Sequence, residues 1–122
     1  MARTTDAGNA GEAFVTGRLQ RAGYRIIDRN WRIRGGEIDI VALDGETLVF
    51  VEVKARTGER VGYAEDAVDA RKLTRLMRAA EMYVEAYPEH SDRVWRVDFV
   101  AITLSVGGVV RRYSHNENLT LE

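Results

Sequence analysis

The stretch 35-GGEIDIVALDGETLVFVEVKAR-56 predicts two β-strands, over residues 37–43 and 47–54, joined by a hairpin turn at Asp44 and Gly45. Side chains alternate between the two faces of a strand. One face of this hairpin is wholly apolar and is predicted to be the floor of the core: Ile38, Ile40, Ala42, Val49, Val51 and Val53. The other face is apolar only at its far end, and at its near end it carries charges that a purely structural hairpin does not require.

The charged end of that second face is the candidate site. Its members are Glu37, Asp39, Glu52 and Lys54. A two-residue turn would place Glu37 opposite Glu52, whereas a four-residue turn would place Asp39 opposite Glu52. In either register Asp39 lies within roughly 8 Å of Glu52, the reach of a direct or diagonal cross-strand pair.

The rest of the chain predicts the order α-β-β-β-α-β-β. Helices are expected at 8–22 and 64–87, further strands at 24–31, 93–104 and 109–115, a loop at 55–63, and turns at Gly35-Gly36 and Gly107-Gly108. The buried stripe of the second helix is predicted to consist of Leu73, Met77, Ala80, Val84 and Tyr87. The expected fold is a single α/β domain over residues 1–122, with a mixed central sheet flanked by helices.

Composition restricts the class of protein. Of the 122 residues, 45% are hydrophobic and 30% are charged, and there is no cysteine, so a globular protein without disulfides or thiolate metal sites is expected. No stretch approaches the ~20 apolar residues of a membrane span, and a cytoplasmic location is expected. The net charge of −1 argues against strong non-specific nucleic-acid binding, but basic residues cluster within 18–34 and 71–78.

The first helix contributes another carboxylate. Glu12 lies only ~20° from Leu19 around the helix axis, on the apolar stripe. It is either an acid of the first turn, stabilised by the helix dipole, or a fourth carboxylate directed at the same site. Hard oxygen ligands suit Mg²⁺ or Mn²⁺, and the usual zinc ligands are missing from the cluster, since His90 and His115 are expected at the surface.

Asp39 with Glu52 and Lys54 is a suitable set for hydrolysing a phosphodiester. A bound metal polarises the phosphate and lowers the pKa of a bound water. Lys54 can orient the water, help to deprotonate it, or stabilise charge that develops on phosphate oxygens. The short Glu-x-Lys triplet gains specificity from Asp39, which lies thirteen residues upstream on the same predicted face.

In sequence, "GEIDIVA" and "VFVEVKAR" resemble the YraN-like bacterial proteins. The segments "GEAF", "GYRIIDRNWR", "VGYAEDAV", "ARKL" and "WRVDFVAI" occur in the order expected for that family, so the resemblance covers most of the chain. The family is similar to Holliday-junction resolvases and to the wider restriction-endonuclease-like superfamily. The resemblance implies a restriction-endonuclease-like core, α-β-β-β-α-β, followed here by a C-terminal strand.

The resemblance also implies roles for individual residues. Asp39 and Glu52 match the metal-binding acids, Lys54 the catalytic lysine, and Glu12 the first-helix acid of the resolvase-like branch. Glu37 is an additional ligand or a partner of one. The proline that often precedes the Asp in the superfamily is replaced by Ile38. The expected nucleic-acid contacts are Arg34, Arg56, Lys72 and Arg75.

The first hypothesis is therefore a Mg²⁺- or Mn²⁺-dependent endonuclease acting on DNA, including branched or recombination intermediates, and working as a homodimer. The alternative is a nucleic-acid-binding or protein-interaction module that keeps the fold without efficient cleavage. A small-molecule phosphohydrolase is a weaker third hypothesis. Asp98 is predicted to be a buried acid paired with an arginine, and Trp31 and Trp95 are predicted to lie in the core.

Overall fold

The computed structural model describes residues 6–58 and 70–119. The elements along these segments are α1 (Asp6–Arg21), β1 (Arg25–Ile33), β2 (Gly36–Asp44), β3 (Thr47–Thr57), α2 (Ala70–Ala86), a short 3₁₀ helix (Pro88–His90), β4 (Trp95–Leu104) and β5 (Val110–Asn116). The predicted order of elements and the α/β class are confirmed. The part of the second helix predicted at 64–69 and most of the predicted loop fall outside the described residues.

The five strands form one mixed sheet in the order β1-β2-β3-β4-β5. Neighbouring strands are antiparallel except for β3 and β4, which are parallel. A parallel pair requires a long crossover connection, and α2 lies in the connection between β3 and β4. No helix in the two described segments has the length and hydropathy needed to cross a membrane.

Both faces of the sheet are covered by apolar side chains. On the α1 side the buried cluster consists of Val15, Leu19, Ile40, Ala42, Val49, Val51 and Val100. On the α2 side it includes Ile38, Val41, Leu43, Leu48, Phe50, Leu73, Leu76, Tyr83 and Val97. The sequence assigned a single core face to the hairpin, and that assignment is incomplete, because β2 and β3 are central strands buried between two helix layers.

The buried side of α2 differs from the predicted stripe. Its buried residues are Leu73, Leu76, Ala79, Ala80 and Tyr83, while Met77 and Val84 are only half-buried. The helix turns this side inward because the ring of Tyr83 packs edge-on against Phe50 and Trp31, with ring centroids 5.5 and 5.2 Å away. Trp31 and Trp95 pack against this cluster, as predicted.

Two boundaries around the hairpin also differ from the predictions. The β1–β2 turn is Arg34-Gly35, where Gly35 has φ +88°, and Gly36 already belongs to β2. The sequence predicts a loop from residue 55, but β3 continues to Thr57 because β4 pairs with it up to Leu104. In the β2–β3 hairpin Leu43 lies opposite Leu48, the register predicted for a four-residue turn, although Asp44 and Thr47 also pair and only Gly45 and Glu46 lie between the strands.

Asp98 is fully buried on β4 and is paired, as predicted. Nε of Arg96 donates to Oδ1 at 3.0 Å, Nε2 of His115 lies 2.8 Å from Oδ2, and the backbone N–H of Asn118 donates to Oδ1 at 2.9 Å. The prediction that both histidines lie at the surface is wrong. His115 is half-buried through this contact, and His90 is half-buried beside Arg93, whose Nε donates to Nδ1 at 3.1 Å.

Candidate functional site

Asp39 lies where β2 changes face. Ile38 packs in the α2-side cluster and Ile40 in the α1-side cluster, although simple alternation puts both on one face. β1 is irregular at the same level, since Asn30, opposite Asp39 by register, has φ +53°. Asn tolerates this left-handed conformation better than most residues do. The predicted common face of Ile38 and Ile40 is therefore wrong, and Asp39 lies between the two layers.

The side chain of Asp39 also marks the end of the β2–β3 pairing. The ladder runs from Asp44 opposite Thr47 to Ile40 opposite Val51. Beyond that pair, the backbone N–H of Val53 donates to Oδ2 of Asp39 at 2.8 Å. A carboxylate thus takes the hydrogen bond that a strand carbonyl would otherwise accept, and the two strands separate beside Glu52.

The environment of Asp39 favours a protonated or cation-bound carboxyl. Asp39 is only 9% exposed to solvent. Burial and the neighbouring Glu52 raise the pKa of Asp39 to about 7, against the hydrogen bond from Val53, which lowers it. The raised pKa means that a proton on one of the two carboxyls relieves the repulsion between Asp39 and Glu52. A divalent cation can replace that proton, since both carboxylates offer hard oxygen ligands.

Glu12 faces the same site from α1. The helix begins at Asp6, so Glu12 lies beyond the first turn and the explanation by the helix dipole does not apply. Burial and the negative charge of Asp39 raise the pKa of Glu12, while Arg29 and a hydrogen bond with Asn30 oppose the rise. Arg29 Nη2 lies 3.8 Å from Glu12 Oε1. Glu12 is therefore a further carboxylate close to Asp39.

Glu37 is exposed at the start of β2, yet its charge contributes to raising the pKa of both Asp39 and Glu12. The other three acids predicted as metal ligands, Glu12, Glu37 and Glu52, thus lie within electrostatic reach of Asp39. Within residues 6–58 and 70–119, however, no three or more Asp, Glu, His or Cys side chains are arranged to hold a metal ion. The carboxylates are neighbours without forming a closed coordination shell.

The counter-ion of Glu52 is Lys72 of α2, with Nζ 3.0 Å from Oε2. Lys54, the lysine of the predicted catalytic set, forms no ion pair within the described part of the chain. It is half-buried on β3, opposite Ala101 of β4. Two residues span roughly 6.6 Å along a strand, so Lys54 is displaced from the Asp39–Glu52 pair by that rise.

A cleft of about 590 Å³ opens beside Glu52, between the β1–β2 turn and the first turns of α2. It is lined by Arg32, Ile33, Gly35, Gly36, Glu37, Glu52, Lys72, Arg75 and Leu76. Three of these side chains are cationic, so the cleft combines positive charge with the acidic site. Such a combination suits a phosphate chain that must approach a metal.

The predicted nucleic-acid contacts lie at different distances from this cleft. Lys72 and Arg75 line it, Arg34 is in the exposed β1–β2 turn, and Arg56 is half-buried farther along β3. The buried Nε of Arg56 has no hydrogen-bond partner among the described residues. Arg32 was not selected from the sequence, although the tight turn after Ile33 places it opposite Glu37 and could have revealed it.

The fold and the site define an α/β protein with a mixed sheet between two helices and a carboxylate cluster where β2 and β3 separate. The chain belongs to the uncharacterised protein family UPF0102, whose model matches residues 11–102. It is 40% identical over 103 residues to a UPF0102 protein of Stutzerimonas stutzeri, a match covering 84% of this chain and 86% of the relative.

Relatives from two other bacteria are similar over comparable lengths. A UPF0102 protein of Frankia casuarinae is 43% identical over 89% of this chain and 92% of its own length. A UPF0102 protein of Kineococcus radiotolerans is 44% identical over 87% of this chain and 88% of its own length. The family model's match over residues 11–102 includes the region of the carboxylate cluster.

Proposed function

We propose that this protein is a divalent-metal-dependent endonuclease of the cytoplasm that hydrolyses phosphodiester bonds in DNA, with branched or recombination intermediates among its substrates. One observation carries the proposal. The buried Asp39 lies beside a second acid, Glu52, and Glu52 lines a cleft that also holds Arg32, Lys72 and Arg75. Two acids that need a cation, next to basic side chains that can bind phosphates, are the requirements of metal-assisted phosphodiester hydrolysis.

The donor set fits Mg²⁺ or Mn²⁺. Asp39 and Glu52 would hold the metal, and Glu12 and Glu37 would supply further oxygens directly or through water. When bound, the metal polarises the scissile phosphate and lowers the pKa of a bound water.

Groups of the protein itself would position the metal-binding carboxylate and neutralise the charge of the phosphates. The N–H of Val53 fixes one oxygen of Asp39, and burial keeps bulk water away from it. Lys54 would stabilise negative charge on phosphate oxygens from the same strand as Glu52. Arg32 and Arg75 would bind phosphates that flank the scissile one. A homodimer with two such clefts would cut two strands symmetrically.

The alternative is a nucleic-acid-binding module with little or no cleavage. The ion pair between Lys72 and Glu52 supports it, because a lysine already neutralises the second acid. Under this alternative the cationic cleft binds nucleic acid, and the carboxylates contribute to stability rather than to turnover.

A cleavage assay separates the two proposals. Purified protein is incubated with labelled duplex, single strand, flap and four-way junction, in Mg²⁺, in Mn²⁺ and in EDTA. The tested variants are Asp39→Asn and Glu52→Gln, and the matched control is Glu85→Gln, an exposed acid of α2. We expect metal-dependent cutting that falls by roughly 100-fold or more in the first two variants and stays unchanged in the control.

Circular dichroism of the same samples shows whether each variant is folded. Cutting by the wild type that does not exceed that of folded Asp39→Asn on any substrate would contradict the endonuclease. Binding of the same substrates without cutting would then favour the module. Size-exclusion chromatography with light scattering measures the proposed dimer.

A further inference from the structure

The ion pair between Lys72 and Glu52 joins the helix layer to the strand that carries the site. Lys72 is the third residue of α2, and its Nζ lies 3.0 Å from Oε2 of Glu52. The two side chains are 28% and 13% exposed, so the pair is partly shielded from water. The carboxylate that Lys72 neutralises is one of the two that would hold the metal.

We propose that Lys72 is an exchangeable counter-ion of Glu52: a divalent cation displaces it, and the displaced ammonium then binds a substrate phosphate in the cleft. The inference rests on the proposed function and adds a coupling to it. Metal loading changes the partner of Lys72, so the site binds the phosphate chain fully only after the metal has entered.

Electrostatics favours the exchange. An ammonium and a divalent cation repel each other and cannot both lie at contact distance from one carboxylate oxygen without a large cost. Lysine is suited to move, since its charge is compact and its four-carbon stem is flexible. Lys72 lines the same cleft as Arg32 and Arg75, so its ammonium can leave Glu52 and remain beside a bound phosphate.

A comparison within the molecule shows what a fixed pair is like. The guanidinium of Arg96 contacts Asp98, and it also contacts Tyr24 at 2.9 Å and Asp44 at 3.3 Å. Several acceptors arranged around a planar group hold it in one orientation. Lys72 instead meets Glu52 with a compact point charge, at the edge of an open cleft.

The first test measures metal affinity without substrate, by titrating the full-length, metal-free protein with Mn²⁺ and following free Mn²⁺ by electron paramagnetic resonance. The variants are Lys72→Gln and Arg75→Gln. The second removes the same charge from the same cleft but not a contact to Glu52. We expect Lys72→Gln to bind Mn²⁺ roughly three- to tenfold more tightly than the wild type, and Arg75→Gln to gain clearly less.

The outcomes distinguish the inference from the proposed function. Equal gains in Lys72→Gln and Arg75→Gln, with Mn²⁺ binding that is lost in Asp39→Asn, would overturn the exchange while leaving the metal site. If neither the wild type nor Lys72→Gln binds Mn²⁺, both proposals are wrong. Binding that is detected only in Lys72→Gln would also overturn the exchange, because the cation would then fail to displace the lysine of the wild type.

The second test measures the phosphate contact. Binding of a phosphorothioate duplex, which keeps its charges and resists cleavage, is measured against salt concentration with and without Mn²⁺. Each neutralised phosphate adds about 0.7–0.9 to the slope of log K against log salt. Without metal, we expect the wild type and Lys72→Gln to have the same slope. With Mn²⁺, we expect the slope of the wild type to exceed that of Lys72→Gln by about 0.7–0.9, the contribution of one phosphate.

Comparing the two proteins under one condition cancels the contribution of the metal itself. A slope difference of equal size with and without Mn²⁺ would show that Lys72 contacts phosphate permanently and would overturn the coupling. Equal slopes under both conditions would also overturn it, as would the absence of duplex binding by the wild type in Mn²⁺.

Discussion

Asp39 joins two properties that rarely occur together in one side chain, since it is buried between two layers and lies next to a second acid. The cost of ionising it in that position is what raises its pKa from the ordinary value of 3.8 to about 7. The Asp39 carboxyl therefore binds a proton more tightly in the folded protein than in the unfolded chain. This difference links the stability of the protein to pH and to metal.

The first prediction concerns that linkage in EDTA. The contribution of Asp39 to stability is complete below about pH 4 and is lost as the pH rises towards about 7, because the unfolded chain releases the proton first. Urea unfolding at about pH 5 and about pH 8 measures it. We expect the wild type to lose more stability than Asp39→Asn over this interval. Parallel pH profiles of the two proteins would contradict the prediction.

The second prediction concerns Asp98, whose pKa is shifted in the opposite direction to that of Asp39. Burial opposes its ionisation, but hydrogen bonds from His115, Asn118 and Arg96 hold the pKa of Asp98 below its ordinary value. We expect Asp98→Asn to lower the free energy of unfolding by about 2–4 kcal/mol, since it leaves buried donors with a weaker acceptor. The measurement is urea unfolding at neutral pH.

The control for Asp98 is Asp44→Asn in the same network. Asp44 contacts Arg96 at 3.3 Å with a side chain that is 48% exposed, and we expect a cost below about 1 kcal/mol. Equal costs for the two variants would mean that burial does not distinguish these acids.

At the scale of elements, α1 depends on the absence of a side chain at Gly11. A Cβ there would lie 2.7 Å from Cβ of Ala55 on β3 and 3.3 Å from Cγ2 of Ile102 on β4. We predict that Gly11→Ala destabilises the protein by about 1–3 kcal/mol, because the helix must move away from the sheet. Thermal or urea unfolding measures the change.

Gly17 on the same helix provides the matched control. A Cβ there would meet only the flexible end of Arg21, at 3.4 Å. We expect Gly17→Ala to stabilise the protein by about 0.5–1 kcal/mol, as alanine is the better helix former. A stabilising Gly11→Ala would show that α1 does not pack on Ala55 as described.

Periodicity in the sequence predicted the order of helices and strands. It also predicted that Asp39 lies near Glu52, because side chains alternate regularly along both strands from the hairpin turn up to these two residues. It did not predict the change of face at Asp39. That change depends on the left-handed backbone of Asn30, which is on another strand and has no local signal in β2. Lys72 as the partner of Glu52 depends on how α2 docks, and docking is set by Tyr83 and its aromatic neighbours.

On the scale of the whole molecule, two separate apolar clusters share the central strands. Trp31 and Trp95 both belong to the α2 side, whereas Val15 is fully buried on the α1 side. Side chains of β2 and β3 contribute to both clusters, so loss of one cluster removes support from the other. The single domain expected from the sequence therefore has a direct test.

The fourth prediction is that Val15→Ala lowers stability by about 2 kcal/mol and moves both optical signals together. Tryptophan fluorescence reports the α2 side, and far-ultraviolet circular dichroism reports the whole sheet and both helices. Coincident urea midpoints, both shifted in the variant, would agree with one cooperative unit. A shifted dichroism midpoint with an unchanged fluorescence midpoint would mean that the α1 layer unfolds by itself.

The bond from the N–H of Val53 to Asp39 has a practical consequence for spectroscopy. This amide is a built-in probe, because its proton lies against the oxygen whose charge changes when the carboxyl loses its proton or gains a metal. Its chemical shift in a nitrogen-15 spectrum should follow the occupancy of the site without any label at the site itself. One backbone resonance can thus report the state of the carboxylates while substrate, salt and metal are varied independently.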